Sequence, residues 1–221
     1  MTAATIKETS LRDGIRAGLP FVLPTTALGI SFGVLAEPVM GKVAAIVASL
    51  IVYAGGAQFA ALSVIGAGGT AGAAIAAGLL MNARFIPMGF ALAPSLKGNR
   101  LERAAQGQTV IDASWAMASR GDGSFDRTLL FGATIPQWFA WQAGTIAGVF
   151  AGAALAHPED FGLDAIFPAF YLVLLFEEVR RKRPLAVALA GTAITLALMP
   201  WAPPGIPVIA ASAAALIGLK K

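Results

Sequence analysis

The sequence predicts an all-α polytopic membrane protein, and three observations predict it. The 221-residue chain is 57% hydrophobic and only 13% charged, about half the charged fraction of a soluble domain, so lipid faces much of its surface. Its apolar residues gather in runs long enough to cross a hydrocarbon core of roughly 30 Å, which takes about 20 helical residues. Its basic residues, net charge +4, collect in short loops and at the termini, as in VRRKRP from Val179 to Pro184 and at Lys220 and Lys221. That is the positive-inside pattern, and it lacks the aromatic-interleaved basic face of a nucleic-acid binder.

Seven runs are predicted as spans, at about 17–36, 43–65, 70–94, 128–154, 164–179, 185–200 and 206–219. The first carries Pro20 and Pro24 and leads to no small-residue cleavage site, so it reads as an uncleaved span. Residues 1–16 then form a cytoplasmic or interfacial segment. Gly29 and Gly33, four apart within the first run, give the spacing of close helix packing. The last three runs are short and would cross with little tilt. Between the third and fourth lies a short polar eighth segment, QGQTVIDASWAMASR, Gln106 to Arg120. Counting Lys and Arg on either side does not decide whether it crosses. A weak internal resemblance favours crossing: AGGAQF in span two against WFAWQAG in the fourth strong run, and RFIPMGF against AIFPAFY. The predicted plan is one transporter domain over 1–221, with an inverted repeat of three helices (17–94 and 106–179), broken helices at its centre, and two C-terminal spans over 185–219.

Within the second run, IVYAGGAQFAAL, the adjacent Gly55 and Gly56 point about 100° apart and cannot both serve one packing seam. With Gln58 two residues on, they predict an unwound turn whose backbone groups face a cavity, since free backbone groups are tolerated at membrane depth only beside protein or water. In LLMNARFIPMGF, Arg84 lies near mid-membrane, where a guanidinium costs about 2.5–3.5 kcal/mol. Asn82 precedes it, and Pro87 frees the carbonyl of Ala83. Asp112 is the one carboxylate of the polar segment and the natural partner of Arg84, either as an ion pair or as a proton carrier. Trp138 and Trp141 read as core packing, Glu177 and Glu178 as solvated charge beside Arg180–Arg183, and His157 as a loop residue.

Absent motifs exclude other classes. The chain has no cysteine and one histidine, so thiolate and histidine-rich metal sites are excluded. It has no GxSxG, no GxxxxGK[ST] and no HExxH, which leaves an intramembrane protease or an ATP-driven pump unsupported. No enzyme activity and no cofactor are expected.

The ordered stretches GLPFVLPTTALGISFGVLA, SLIVYAGGAQFAALSVIGAG, GLLMNARFIPMGFALAPSL, QTVIDASWAMA and FGLDAIFPAFYLVLL resemble the AzlC-like large subunits of branched-chain amino-acid exporters, across Arg16 to Lys221. The AGGAQF and NxRF elements are the most specific. The resemblance implies a multi-pass protein of the inner (plasma) membrane that exports leucine, isoleucine and valine on the proton gradient, with a small four-span AzlD-like partner. One departure concerns coupling: an acidic pair often follows the threonine of the polar segment, and TVIDAS offers only Asp112. Residues and resemblance together predict a substrate site of Gly55, Gly56, Gln58, Asn82 and Arg84, with Asp112 as its ion-pair or proton-coupling group. The alternatives are a gated channel for small zwitterionic solutes and a non-transporting membrane scaffold.

Overall fold

A computed structural model describes residues 9–152 and 182–202, with isolated positions at 172, 176, 207, 210, 211, 213 and 214. The described residues fold almost wholly into helices, apart from one isolated bridge between Ser119 and Phe125.

Helix α1 (Leu11–Gly18) is started by a capping box of Ser10 and Asp13 and passes through a 3-10 turn (Leu19–Phe21), with Pro20 near its start, into α2 (Val22–Met40). Together they make one 30-residue apolar helix, about 45 Å long and sufficient to span a bilayer. Helix α9 (Arg127–Ala151) runs parallel to it. Their backbones meet along a seam of small residues: a Cβ on Gly14 would lie 2.8 Å from the Cα of Gly132, and one on Gly29 would lie 2.6 Å from the carbonyl of Trp141. Gly33 is pressed in the same way against Thr145, Val149 and Gly148. The packing role expected of Gly29 and Gly33 is what the structure shows, and their partners are glycines four apart on α9, Gly144 and Gly148. Lacking strong hydrophobic drive in lipid, such helices associate through close backbone contact, which any side chain here would prevent.

The run at 43–65 was expected to cross as one span, unwound at Gly55–Gly56, and it does not cross. It consists of α3 (Lys42–Val52) and α4 (Gly55–Gly66), separated at Tyr53 and Ala54. Helix α3 descends along α9, with Lys42 over Phe150 and Ser49 Oγ 2.9 Å from Thr145 Oγ1. Helix α4 climbs back beside α2, with Phe59 edge-on to Phe32 and Gly66 next to Val39. Ala45, near the start of α3, and Leu62, near the end of α4, share one core cluster with Ala36. The segment is therefore a hairpin that enters and leaves at the end of the molecule where Gly41 lies.

Helix α5 (Ala71–Asn82), capped by Thr70, returns antiparallel to α4 and continues, after a 45° bend, as α6 (Phe85–Leu92). Pro87 accounts for the bend: it cannot bond the Ala83 carbonyl, which accepts instead from the Ile86 N–H at 3.1 Å. This broken helix carries the chain to the opposite end.

The polar segment is also a hairpin. Helix α7 (Arg100–Gln108), opened by an Asn99–Glu102 capping box, leads inward, and α8 (Asp112–Ala118) leads back out. Ser95 Oγ accepts from the Phe125 N–H at 3.2 Å, Arg103 donates to the Ala93 carbonyl and Arg127 to Gln106 Oε1, so both flanks of the segment lie at one end. The expectation that Gln106–Arg120 crosses is thus corrected: with nine and seven helical residues the two pieces reach about 14 and 11 Å, too short to span. That same end carries Arg12, Arg16, Lys97, Arg100, Arg103, Arg120 and Arg127, while Lys42 lies at the other. The sixth run is found as α10 (Lys182–Leu198). The run at 164–179, most of 206–219, His157, Glu177 and Glu178 lie outside the described residues.

Candidate functional site

The two hairpins point at each other from opposite ends, and their tips meet near the middle of α9. Gln108, at the end of α7, donates to the Ile51 carbonyl at 3.1 Å. Between the tips lie two adjoining cavities. The smaller, about 80 Å³, is lined among others by Tyr53, Gly55, Arg84, Asp112, Gln137 and Trp141. The larger, about 250 Å³, shares Tyr53, Ala54 and Phe85 with it and is walled by Val52, Met88, Leu92 and Leu96, with Asn82 and Gln108 as polar members.

Arg84 stands at the bend between α5 and α6. It meets Asp112 at two points, Nε to Oδ1 at 3.2 Å and Nη2 to Oδ2 at 3.0 Å, and Nη1 donates to the Met81 carbonyl at 2.7 Å. The partnership expected of these residues is observed, 28 positions apart in sequence. Asp112 is the first residue of α8, where the helix dipole favours negative charge. Phe85 adds its ring face 4.7 Å from the guanidinium carbon. Gly56 has its place because of Arg84: a Cβ there would lie 3.3 Å from Nη1.

The unwound turn is displaced from its expected position. Gly55 and Gly56 are helical, and the break falls at Tyr53, which has left-handed backbone angles (φ 37°, ψ 47°), and at extended Ala54. Tyr53 is the one non-glycine residue with positive φ among the described residues. A bulky side chain there is strained, and such strain persists only where the surroundings impose it. No side chain caps α4, whose first N–H groups have no helical partner, and its first residue, Gly55, lines the smaller cavity.

Of the five predicted substrate residues, Gly55, Gly56 and Arg84 come together with Asp112. Asn82 lines the adjoining cavity, with its Oδ1 buried and without a partner. Gln58 is buried in α4, its amide also unpartnered, and lines neither cavity. Sequence reasoning missed Tyr53, which no Gly or Pro marks, and assigned Trp141 to packing. Trp141 does pack, stacked on Phe32 at 6.2 Å, but its buried indole Nε1 has no partner and the ring borders the smaller cavity. Trp138 instead faces a lateral groove of about 600 Å³ bordered by α3, α7 and α9, a mainly apolar surface whose one charged lining residue is Arg127. No cluster of metal-ligating side chains occurs among the described residues.

Comparison with known proteins places this geometry in context. The family model described as AzlC protein matches residues 20–155, which includes both hairpins and the whole central site. The chain is 26% identical to the inner membrane protein YgaZ of Escherichia coli over 210 residues, covering 86% of this chain and 83% of that protein. It is 29% identical over 194 residues to an uncharacterized membrane protein of Archaeoglobus fulgidus, covering 86% and 85%. It is 22% identical over 200 residues to the branched-chain amino acid transport protein AzlC of Bacillus subtilis, covering 86% and 78%. No solved structure gives a significant match.

Proposed function

The chain belongs to the AzlC family of membrane transport proteins, and from that premise we propose that it is a secondary exporter of branched-chain amino acids in the inner (plasma) membrane. One observation carries this reading: a small cavity that holds the Arg84–Asp112 pair and the first residue of α4 adjoins a cavity of about 250 Å³ whose wall sets Val52, Met88, Leu92 and Leu96 beside Asn82 and Gln108. A zwitterionic head and a branched aliphatic side chain need charged groups and apolar walls side by side. Gly55, Gly56, Asn82 and Arg84 form the substrate site in this reading, with Gln58 supporting it from within α4 and Asp112 as the coupling group. The name of the Bacillus subtilis relative supports the substrate class.

Direction follows from charge. The end bearing the seven basic residues from Arg12 to Arg127 is cytoplasmic in this reading, by the positive-inside rule. The larger cavity extends toward that end through Leu92 and Leu96, where a substrate bound for export would enter. The repeat is carried by the hairpins, 42–66 and 100–118, each followed by a crossing helix and inverted relative to the other. A small four-span AzlD-like subunit completes the transporter, and the exposed apolar face of α5, with Ile75 and Leu79, offers it a surface.

Leucine counterflow in proteoliposomes, with and without a pH gradient and with the partner present, tests the proposal. Uphill movement driven by protons is expected. Half-length helices meeting tip to tip also suit a gated channel, and purely downhill, ungated flux would favour that reading. Full transport by the chain alone would remove the partner.

A further inference from the structure

The lateral groove bordered by α3, α7 and α9 lies away from the Arg84–Asp112 pair, and its lining has a direction. Arg127, Phe131, Ile135 and Trp138 recur at intervals of four, four and three along α9, so they share one face of that helix, with the cation at its start and apolar groups beyond. From Arg127 to Phe139 the face runs about 18 Å. One leaflet's share of a 30 Å hydrocarbon core is about 15 Å, so the groove is as deep as one leaflet. The hairpin tips close its far end, where Gln108 donates to the Ile51 carbonyl at 3.1 Å. Its rim is open to lipid, with Ile51 68% and Phe139 63% exposed.

Arg127 is set to receive an anion at the mouth of this slot. Its Nε donates to Gln106 Oε1 at 2.8 Å and its guanidinium lies over the Phe131 ring, 5.1 Å from the centroid, so two groove-lining residues hold it on the groove wall. Gln106 is itself fixed, its amide nitrogen donating to the carbonyls of Lys97 at 2.7 Å and Glu102 at 3.1 Å. Among the described residues neither Nη of Arg127 has an acceptor, and the ion pairs found there join other residues, Arg84 to Asp112 and Arg120 to Asp126. An open guanidinium fork matches a phosphate at two points. With the basic end cytoplasmic, as in the orientation above, the fork lies in the leaflet that carries anionic lipids. We propose that the groove binds an anionic phospholipid of that leaflet, its phosphate on Arg127 and an acyl chain along Phe131, Ile135 and Trp138 toward Phe139.

The test places the purified full chain in phosphatidylcholine bilayers containing phosphatidylglycerol, with brominated acyl chains on one lipid or the other to quench nearby tryptophan. Subtracting the signal of Trp138→Phe isolates Trp138. Brominated phosphatidylglycerol is expected to quench Trp138 at about fivefold lower mole fraction than brominated phosphatidylcholine, the preference that one basic residue near the surface gives. Arg127→Gln should abolish that preference, and Arg127→Lys, which keeps the charge, should retain part of it. If Arg127→Gln does not fold, the wild-type preference and its weakening in Arg127→Lys decide the matter. Equal quenching by both lipids in wild type overturns the proposal, as does a preference that survives intact in Arg127→Gln. Trp138 that neither lipid quenches also overturns it, and assigns the groove to a protein segment. Leucine counterflow is a separate measurement, and its failure would sink the amino-acid reading while leaving a lipid preference standing.

Discussion

Arg84 and Asp112 form a two-point ion pair across the gap between a bent crossing helix and the tip of a hairpin, at 3.2 and 3.0 Å. It fastens the hairpin to the bend, so whatever separates the pair also loosens the cavity wall. Removing one partner strands a part-buried charge, at roughly the 2.5–3.5 kcal/mol of an unpaired ion at membrane depth, whereas removing both leaves a neutral contact. Arg84→Leu and Asp112→Leu are each expected to lower membrane abundance sharply, and the double variant to restore abundance but not leucine export. Export recovered in the double variant would make the pair purely structural. Arg84→Lys keeps the charge but can meet only one oxygen, and reduced export at normal abundance is expected.

The hairpins fix the topology. Asn99 and Ser124 flank the α7–α8 hairpin at the basic end, and Gly41 and Gly68 flank the α3–α4 hairpin at the other. Single cysteines at Asn99 and Ser124 in this cysteine-free chain should both be labelled from the cytoplasm, and those at the exposed neighbours Lys42 and Ala67 both from outside. Labelling of Asn99→Cys and Ser124→Cys from opposite faces would contradict a re-entrant α7–α8.

These topological facts explain what could and could not be read from sequence. Arg84, Asp112 and the glycine pair are costly residues in lipid, and cost is visible in a sequence. The α3–α4 hairpin is not, because a 23-residue apolar run satisfies the length rule whether it crosses once or folds at its centre. Its turn falls on Tyr53 and Ala54, which carry no breaker signal, while the conspicuous glycines are helical: Gly55 lines the smaller cavity and Gly56 faces Arg84. In the polar segment, the β-branched run Thr109–Ile111 marks the break between α7 and α8, a weak signal beside the helical composition around it. Charge counting failed for the same reason: with the 43–65 run counted as a crossing, basic residues that share one end are assigned to two.

The seam between α2 and α9 should be intolerant of bulk. Gly33→Ala would put a methyl group against the Thr145 carbonyl and the Val149 amide, and backbone cannot yield as a flexible side chain does. A loss of about 1–3 kcal/mol and a lower melting temperature in detergent are expected, the usual cost of overpacking. Gly89→Ala in α6, where a Cβ meets nothing within 4 Å, is the control and should keep or raise the melting temperature, since Ala favours helix over Gly by about 0.5–1 kcal/mol.

The last prediction concerns acid. Asp126 caps α9 outside the membrane: Oδ1 accepts the Leu129 N–H at 3.0 Å, and Oδ2 accepts the Thr9 hydroxyl at 2.6 Å and Arg120 Nη2 at 3.0 Å. Burial pushes its pKa up, but these donors together outweigh burial and hold it below the ordinary carboxylate range. A carboxylate with a depressed folded-state pKa contributes stability that is fully present above its unfolded value, near 3.9, and is lost as pH falls through the folded value. Wild-type protein should therefore lose melting temperature on acidification below about pH 4. Asp126→Asn keeps an acceptor for Leu129 but loses the charge facing Arg120 and Thr9, so it should be about 1–2 kcal/mol less stable at neutral pH. Its acid loss should be shallower, the remainder coming from groups such as Asp122, whose pKa is lowered by its hydrogen bonds with Ser124. Parallel melting profiles for wild type and Asp126→Asn between pH 7 and 3 would show that the cap's charge does not hold the N-terminal segment to α9.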